Sequence, residues 1–350
     1  MKKTLLALTV PALLVAGSAS AAVSLYDQDG TQVTMSGAAE VQYYRSAKAE
    51  AEYKYDNRVN TPVVDRTATD DASLRIDDGD LALRVQHQVS ADLYALGAIE
   101  LAIGESKDNK VSQGKSSGDV VNDGLYVGLG GNFGELTFGR QLAIIDDAGV
   151  GVDIELKDSA GVNYEDTDMD QYIKYRFSGE KFWAGAGYNI AQEDATGKKG
   201  EELLEIAAGV PFGDFEARAY YADFKNEQFK NDAGVVVGTE QTAWDLEFVY
   251  AAGPIYVGAL YGQSDDGSDT DSDIKTWELA GSYTLGKNTF GLGYAQNSGD
   301  ADSQDAMNLY GNVAHQLTAN TRAYVEVSYE DIKKYDEKGL GYVVGMEVKF

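Results

Sequence analysis

The sequence predicts an all-β chain, a sixteen-stranded antiparallel β-barrel that crosses a membrane. Three observations carry this. Apolar residues recur at every second position along most of the chain, the connections between those segments alternate in length, and nothing after the N-terminus is apolar enough for a spanning helix. Strict alternation marks a strand with two unlike faces. A chain that crosses lipid without apolar helices has to satisfy its backbone between strands, in a closed ring.

The chain opens on a targeting segment. Lys2 and Lys3 form a basic start, Leu5 to Ala16 is apolar apart from Thr9 and Pro11, and Ala19-Ser20-Ala21 is a small-residue cleavage site. This pattern is an export signal cut after Ala21, leaving residues 22–350 as the barrel. The apolar run is shorter than the about 20 residues a membrane anchor needs.

Composition narrows the chemistry. Cys 0 excludes disulfides, thiol catalysis and cysteine-ligated metals. A net charge of −28 argues against a nucleic-acid partner, which needs clustered Lys and Arg. The 23 tyrosines suit strands and membrane interfaces.

Sixteen strands are predicted at 33–45, 73–89, 93–103, 123–130, 134–140, 168–178, 182–191, 202–210, 214–224, 241–251, 254–262, 274–285, 289–296, 305–316, 321–330 and 339–350. The alternation is plain in several. Phe215, Ala217, Ala219 and Tyr221 oppose Glu216, Arg218 and Tyr220. Trp244, Leu246, Phe248 and Tyr250 oppose Asp245 and Glu247. Ala323, Val325, Val327 and Tyr329 oppose Arg322, Tyr324, Glu326 and Ser328. An apolar face bounded by aromatics suits lipid with an interface at each end. The opposite face carries charges that a dry core cannot bury unpaired, so it lines water. By this parity Arg84, Lys174, Arg176, Arg218 and Arg322 face the lumen, and Arg140 faces outward with Leu136 and Phe138.

Long polar connections occupy 46–72, 104–122, 141–167, 192–201, 225–240, 263–273, 297–304 and 331–338, and short turns separate the other strand pairs. Segregation of loop length by end is the mark of an outer-membrane barrel, with long loops outside and both termini periplasmic.

The residues now meet a family. Leu25–Gly30 leading into Val33–Gly37, the hairpin Gly124–Arg140, Glu278–Gly286 and Phe350 resemble the general trimeric porins of Gram-negative outer membranes, in the acidic form typical of marine gamma-proteobacteria. The resemblance implies a homotrimer and an inward-folded third loop, here Gln141 to Thr167, that narrows the barrel. It implies loop acids at the constriction, Asp146, Asp147, Asp153, Glu155 and Asp158, set against the basic wall residues. It also implies a subunit-interface role for Arg140, reading of Phe350 by the barrel assembly machinery, and contact with outer-membrane lipid and lipopolysaccharide. The Pro-Glu-Phe-Gly-Gly run of enteric members is absent from this loop, and basic positions of theirs fall on Ala38 and near Asp123 and Asp168. These departures leave a more acidic pore.

Other motifs fail. Gly114-Lys-Ser116 lacks the preceding glycine and following helix of a phosphate-binding loop, and Gly128-Leu-Gly130 sits in a hairpin. Asp265, Asp266, Asp269, Asp271 and Asp273 lack the glycine and terminal glutamate of a calcium loop and read as a solvated outer loop, with loose Ca²⁺ or Mg²⁺ bridging to lipopolysaccharide as the other reading. His87 and His315 lie near periplasmic turns, away from the outer rim where barrel enzymes work. The sequence therefore predicts no enzyme, cofactor or resident metal. The expected function is a water-filled diffusion pore for small hydrophilic solutes and ions, preferring cations. A substrate-specific channel and a surface adhesin or receptor barrel are the alternatives.

Overall fold

The computed structural model describes residues 22–350 apart from 48–51, 57–60, 66–71, 105–118, 158–159, 163, 165–166, 193–199, 226–228, 231–235, 238–239, 266–272, 300–304 and 334–336. The proposed leader, residues 1–21, lies outside the described residues, as does Asp158.

Sixteen strands form the wall: β1 (Thr31–Arg45), β2 (Ser73–Ser90), β3 (Leu93–Gly104), β4 (Asp119–Gly131), β5 (Gly134–Leu142), β6 (Asp168–Ser178), β7 (Trp183–Asn189), β8 (Glu202–Phe212), β9 (Phe215–Lys225), β10 (Glu240–Ala252), β11 (Ile255–Asp265), β12 (Asp273–Leu285), β13 (Asn288–Gly299), β14 (Ala306–Thr318), β15 (Thr321–Ile332) and β16 (Glu337–Lys349). Each pairs antiparallel with its chain neighbours, and β1 pairs with both β2 and β16. The ring is closed, so every strand has partners on both sides and no edge faces lipid.

Predicted and observed strands agree within a few residues; the largest shift is the start of β4 at Asp119 rather than 123. The sequence reading missed a short strand, Val23–Gln28, which folds back on β1 through Asp29 and Gly30. Both turn residues have positive φ, 53° and 72°. That is the two-residue turn for which Asp-Gly is favoured. Two small hairpins inside long connections were also missed, Glu52–Asp56 with Thr61–Asp65 and Phe229–Lys230 with Val236–Val237.

The outward face is apolar and bare. Leu246, Phe248, Leu279, Leu292, Val327 and Val344 are each at least two-fifths exposed, while their neighbours Asp245, Glu247, Glu278 and Glu326 are buried on the other side. A water-soluble protein does not leave so continuous an apolar belt uncovered. Aromatics close the belt at both ends. Phe212, Phe215, Phe248 and Tyr250 cluster with ring centroids 4.8–5.9 Å apart near a short turn. Trp277 with Tyr294 at 4.9 Å and Trp244 with Tyr261 at 5.9 Å lie toward the long connections.

The seam is sealed by Phe350. Its N–H donates to Gly37 O at 2.9 Å, and Gly37 N–H donates to Phe350 O at 2.7 Å. A Cβ on Gly37 would lie 2.7 Å from the Phe350 ring and press on the Asp80 carbonyl. Gly37→Val should therefore lower the temperature at which the folded band is lost on a denaturing gel after graded heating. Loss of the band at the parental temperature would mean that this seam contact adds nothing to closure.

Candidate functional site

The segment that leaves β5 lies against the buried, polar face of the wall. It begins with one turn of 3-10 helix, Ile144–Asp147. Irregular backbone pressed against a wall needs hydrogen-bond partners that it cannot supply itself. Three glutamates of the wall supply them. Glu205 of β8 accepts from Ile144 N–H at 2.7 Å and Ile145 N–H at 2.9 Å. Glu247 of β10 accepts from Gly149 N–H. Glu326 of β15 accepts from Ile154, Glu155 and Leu156 N–H at 2.7–2.9 Å. Neutral groups fill the gaps. Tyr310 OH accepts from Val152 N–H at 2.7 Å, while Asn312 and Asn308 donate to Val152 O and Leu156 O at 2.7 and 2.8 Å.

Between these anchors, apolar side chains dock. Ile144 and Ile145 pack with Met169, Tyr172, Leu203 and Phe224. Val150 packs with Val249, Tyr256 and Leu260, and Leu156 with Tyr324 and Val343. Each such burial contributes about 1.5–3 kcal/mol. The segment thus runs along the wall from β8 to β15 on one continuous track.

The charged residues read from the sequence are placed as follows. Asp147 pairs with Arg176, which also lies over the Trp183 ring. Glu155 pairs with Arg75, a residue the sequence reading did not select. Arg75 also donates to Gln42 and Asp77, and its guanidinium sits 3.6 Å from the Tyr44 ring centre. The register of β1 and β2 shifts opposite Asp77 and Asp78, which inverts the parity and turns Arg75 to the same face as Arg84. Asp153 acts on Lys157, whose Nζ lies 3.0 Å from Glu278. Burial pulls the Lys157 ammonium down, but Glu278 and Asp153 outweigh it and raise it, so Lys157 is a fixed cation. Asp146 accepts from Thr167 at 2.8 Å, and burial raises its carboxyl above the ordinary value.

On the wall, Arg84 meets Glu135 at 2.6 Å rather than a loop acid. Lys174 donates to Leu142 O at 2.8 Å. Arg218 pairs with Glu247 at 2.6 Å and Arg322 with Glu347 at 2.5 Å. Of the expected loop-to-wall pairs, the geometry brings together Asp147 with Arg176 and leaves Arg84 and Lys174 to other partners. Arg140 points outward and pairs with Asp170 at 2.6 Å.

The wall from β2 to β6 carries two cavities beside this track. One, of about 260 Å³, is lined by Ala38, Asp80, Ala82, Glu100, Asp123 and Leu142 among others. The other, of about 210 Å³, is lined by Arg84, Tyr126, Glu135, Lys174 and Arg176 among others. Among the described residues no group of three or more His, Cys, Asp or Glu has the arrangement of a metal site.

The comparisons with known proteins agree with this geometry. The sequence profile of the Gram-negative porins matches residues 7–335. The chain is 36% identical to porin-like protein H of Photobacterium profundum over 365 aligned residues, with 100% of both chains covered. It is 27% identical to outer membrane protein U of Vibrio parahaemolyticus, covering 97% of this chain and 93% of the other. In fold it is similar to the trimer form of OmpT of Vibrio cholerae, with a TM-score of 0.69 at 21% identity, covering 92% of this chain and 100% of that one. A closed sixteen-stranded ring, an apolar outer belt and a charged inner face are what a diffusion pore through an outer membrane requires. The chain belongs to the Gram-negative porin family and is an outer-membrane diffusion porin.

Proposed function

We propose that residues 141–167 fold into the barrel and narrow it, and that the pore passes small hydrophilic solutes and ions with a preference for cations. The observation that carries this is the track of buried wall carboxylates, Glu205, Glu247 and Glu326, which hold the backbone of residues 144–156. A net charge of −28 supports the cation preference, because fixed charge in a narrow low-dielectric passage is focused on the passing ion. The pore performs no chemistry; selectivity comes from width and field.

The same reading makes the protein a homotrimer, exported by cleavage after Ala21, assembled through recognition of Phe350 and embedded among lipopolysaccharide, with divalent ions bridging phosphates to the outer acids. The Arg140–Asp170 pair supports the trimer. An outward ion pair facing lipid is costly, and a neighbouring subunit would cover it. The related fold of OmpT is described as a trimer.

Reversal potential across an approximately tenfold KCl gradient tests the selectivity. It should carry the sign of cation preference and shrink as mean salt rises, because screening shortens from about 10 Å at 0.1 M to about 3 Å at 1 M. The opposite sign would overturn the preference.

A further inference from the structure

We propose that the open wall of the lumen is polarised along the pore axis, with carboxylates toward the outside and cations toward the periplasm, and that the pore therefore conducts asymmetrically. The inference rests on the reading that residues 141–167 line the lumen.

The backbone of the bound segment is held on β8, β10 and β15. Among the described residues it meets β2 and β6 only at Arg75, Met169, Tyr172, Lys174 and Arg176, so the rest of the wall from β2 to β6 is the side left to the water. On this open wall the charges are sorted. Asp80 of β2, Glu100 of β3 and Asp123 of β4 line one cavity, and Asp78 of β2 adjoins Asp80. Arg84 of β2 and Lys174 and Arg176 of β6 gather in the adjoining cavity. Both zones occur on β2 itself. Asp80 lies toward the long connection that precedes the strand, and Arg84 lies toward the short turn at Ser90–Leu93. Four residues of extended chain separate them by about 13 Å. The other strands keep the same order: Glu100 and Asp123 sit far from their short turns, and Lys174 and Arg176 sit close to the turn between β6 and β7. Long connections face outside and short turns face the periplasm.

The bound segment does not cancel this order. Glu155 is paired with Arg75, Asp147 with Arg176, and Asp153 acts on Lys157. In the cationic zone Glu135 and Asp147 offset part of the charge, so the carboxylate end is the stronger.

The consequence is electrostatic. With the outside positive, cations enter through the carboxylate zone and anions enter from the periplasm through the cationic zone. Each ion meets a zone that favours it, both accumulate, and current rises. With the voltage reversed each ion meets the opposing zone first, and the pore is depleted. The fields reach across the passage when screening is weak, about 30 Å at 0.01 M, and not at 1 M, where it is about 3 Å.

The test uses full-length protein inserted from one side of a planar bilayer, its orientation assigned by which chamber's protease cleaves the long connections. At about 10 mM KCl the current at equal and opposite voltages should differ by about 1.5- to 2-fold, larger with the outside positive, and the ratio should approach 1 near 1 M. Asp80→Asn with Glu100→Gln should bring the ratio toward 1 and reduce cation preference. Lys174→Gln should lower the ratio while increasing cation preference, a split that a general loosening of the barrel would not produce. Symmetric current at low salt in a cation-preferring pore overturns the polarity and leaves the proposed function standing. Rectification in an anion-preferring pore overturns the cation preference and supports the polarity.

Discussion

Deleting residues 150–157 should roughly double single-channel conductance while the barrel still folds. This stretch forms the far end of the track, from Val150 on β10 and β11 to Leu156 on β15. Ala148 and Gly149 line the same 440 Å³ cavity as Ala160, Gly161 and Val162, so the shortened segment should reconnect across that cavity. Glu326 loses its three main-chain donors but keeps Asn312, Glu278 loses Lys157, and both then face water, where a carboxylate is stable. Mobility on an unboiled gel reports folding, and planar-bilayer recording reports width. A folded variant with unchanged conductance would show that this stretch does not narrow the pore.

Glu326→Ala should produce the largest single-residue effect on the pore. One carboxylate accepts three backbone N–H groups, from Ile154, Glu155 and Leu156. A hydrogen bond to a charged group contributes about 1.5–3 kcal/mol, and an orphaned donor adds the cost of its own desolvation. Alanine removes both acceptor oxygens and leaves all three N–H groups unpaired at once, so the end of the segment should leave its seat. The expected readings are flickering current, higher mean conductance and new protease cleavage near residues 152–157. Glu326→Gln keeps one acceptor oxygen and should fall between. A steady, parental current from Glu326→Ala would place the hold on the segment elsewhere.

Much of the architecture is legible in the sequence because lipid and water impose it. A strand between the two must alternate, and Phe215 to Tyr221 or Trp244 to Tyr250 show that alternation residue by residue. The inward parity of Arg84, Lys174, Arg176, Arg218 and Arg322 follows from the same rule. Glu247 and Glu326 are also legible as inward carboxylates. Their role is not, because their partners are main-chain N–H groups of a distant segment, which leave no mark in sequence. Arg75 is hidden for another reason. The register shift at Asp77–Asp78 resets the parity, so counting from Arg84 puts Arg75 on the wrong face. The strand Val23–Gln28 is too short to alternate convincingly, and it forms because Asp29-Gly30 turns it back onto β1.

We propose that an open water passage runs through this barrel and that residues 141–167 set its width. Single-channel recording near 1 M KCl in the presence of neutral polymers of graded size measures both. Discrete steps with conductance proportional to bulk conductivity are expected, with a polymer size cutoff that moves upward when residues 150–157 are deleted. Absence of steps, current that saturates with salt, or a cutoff identical in the two proteins would contradict it.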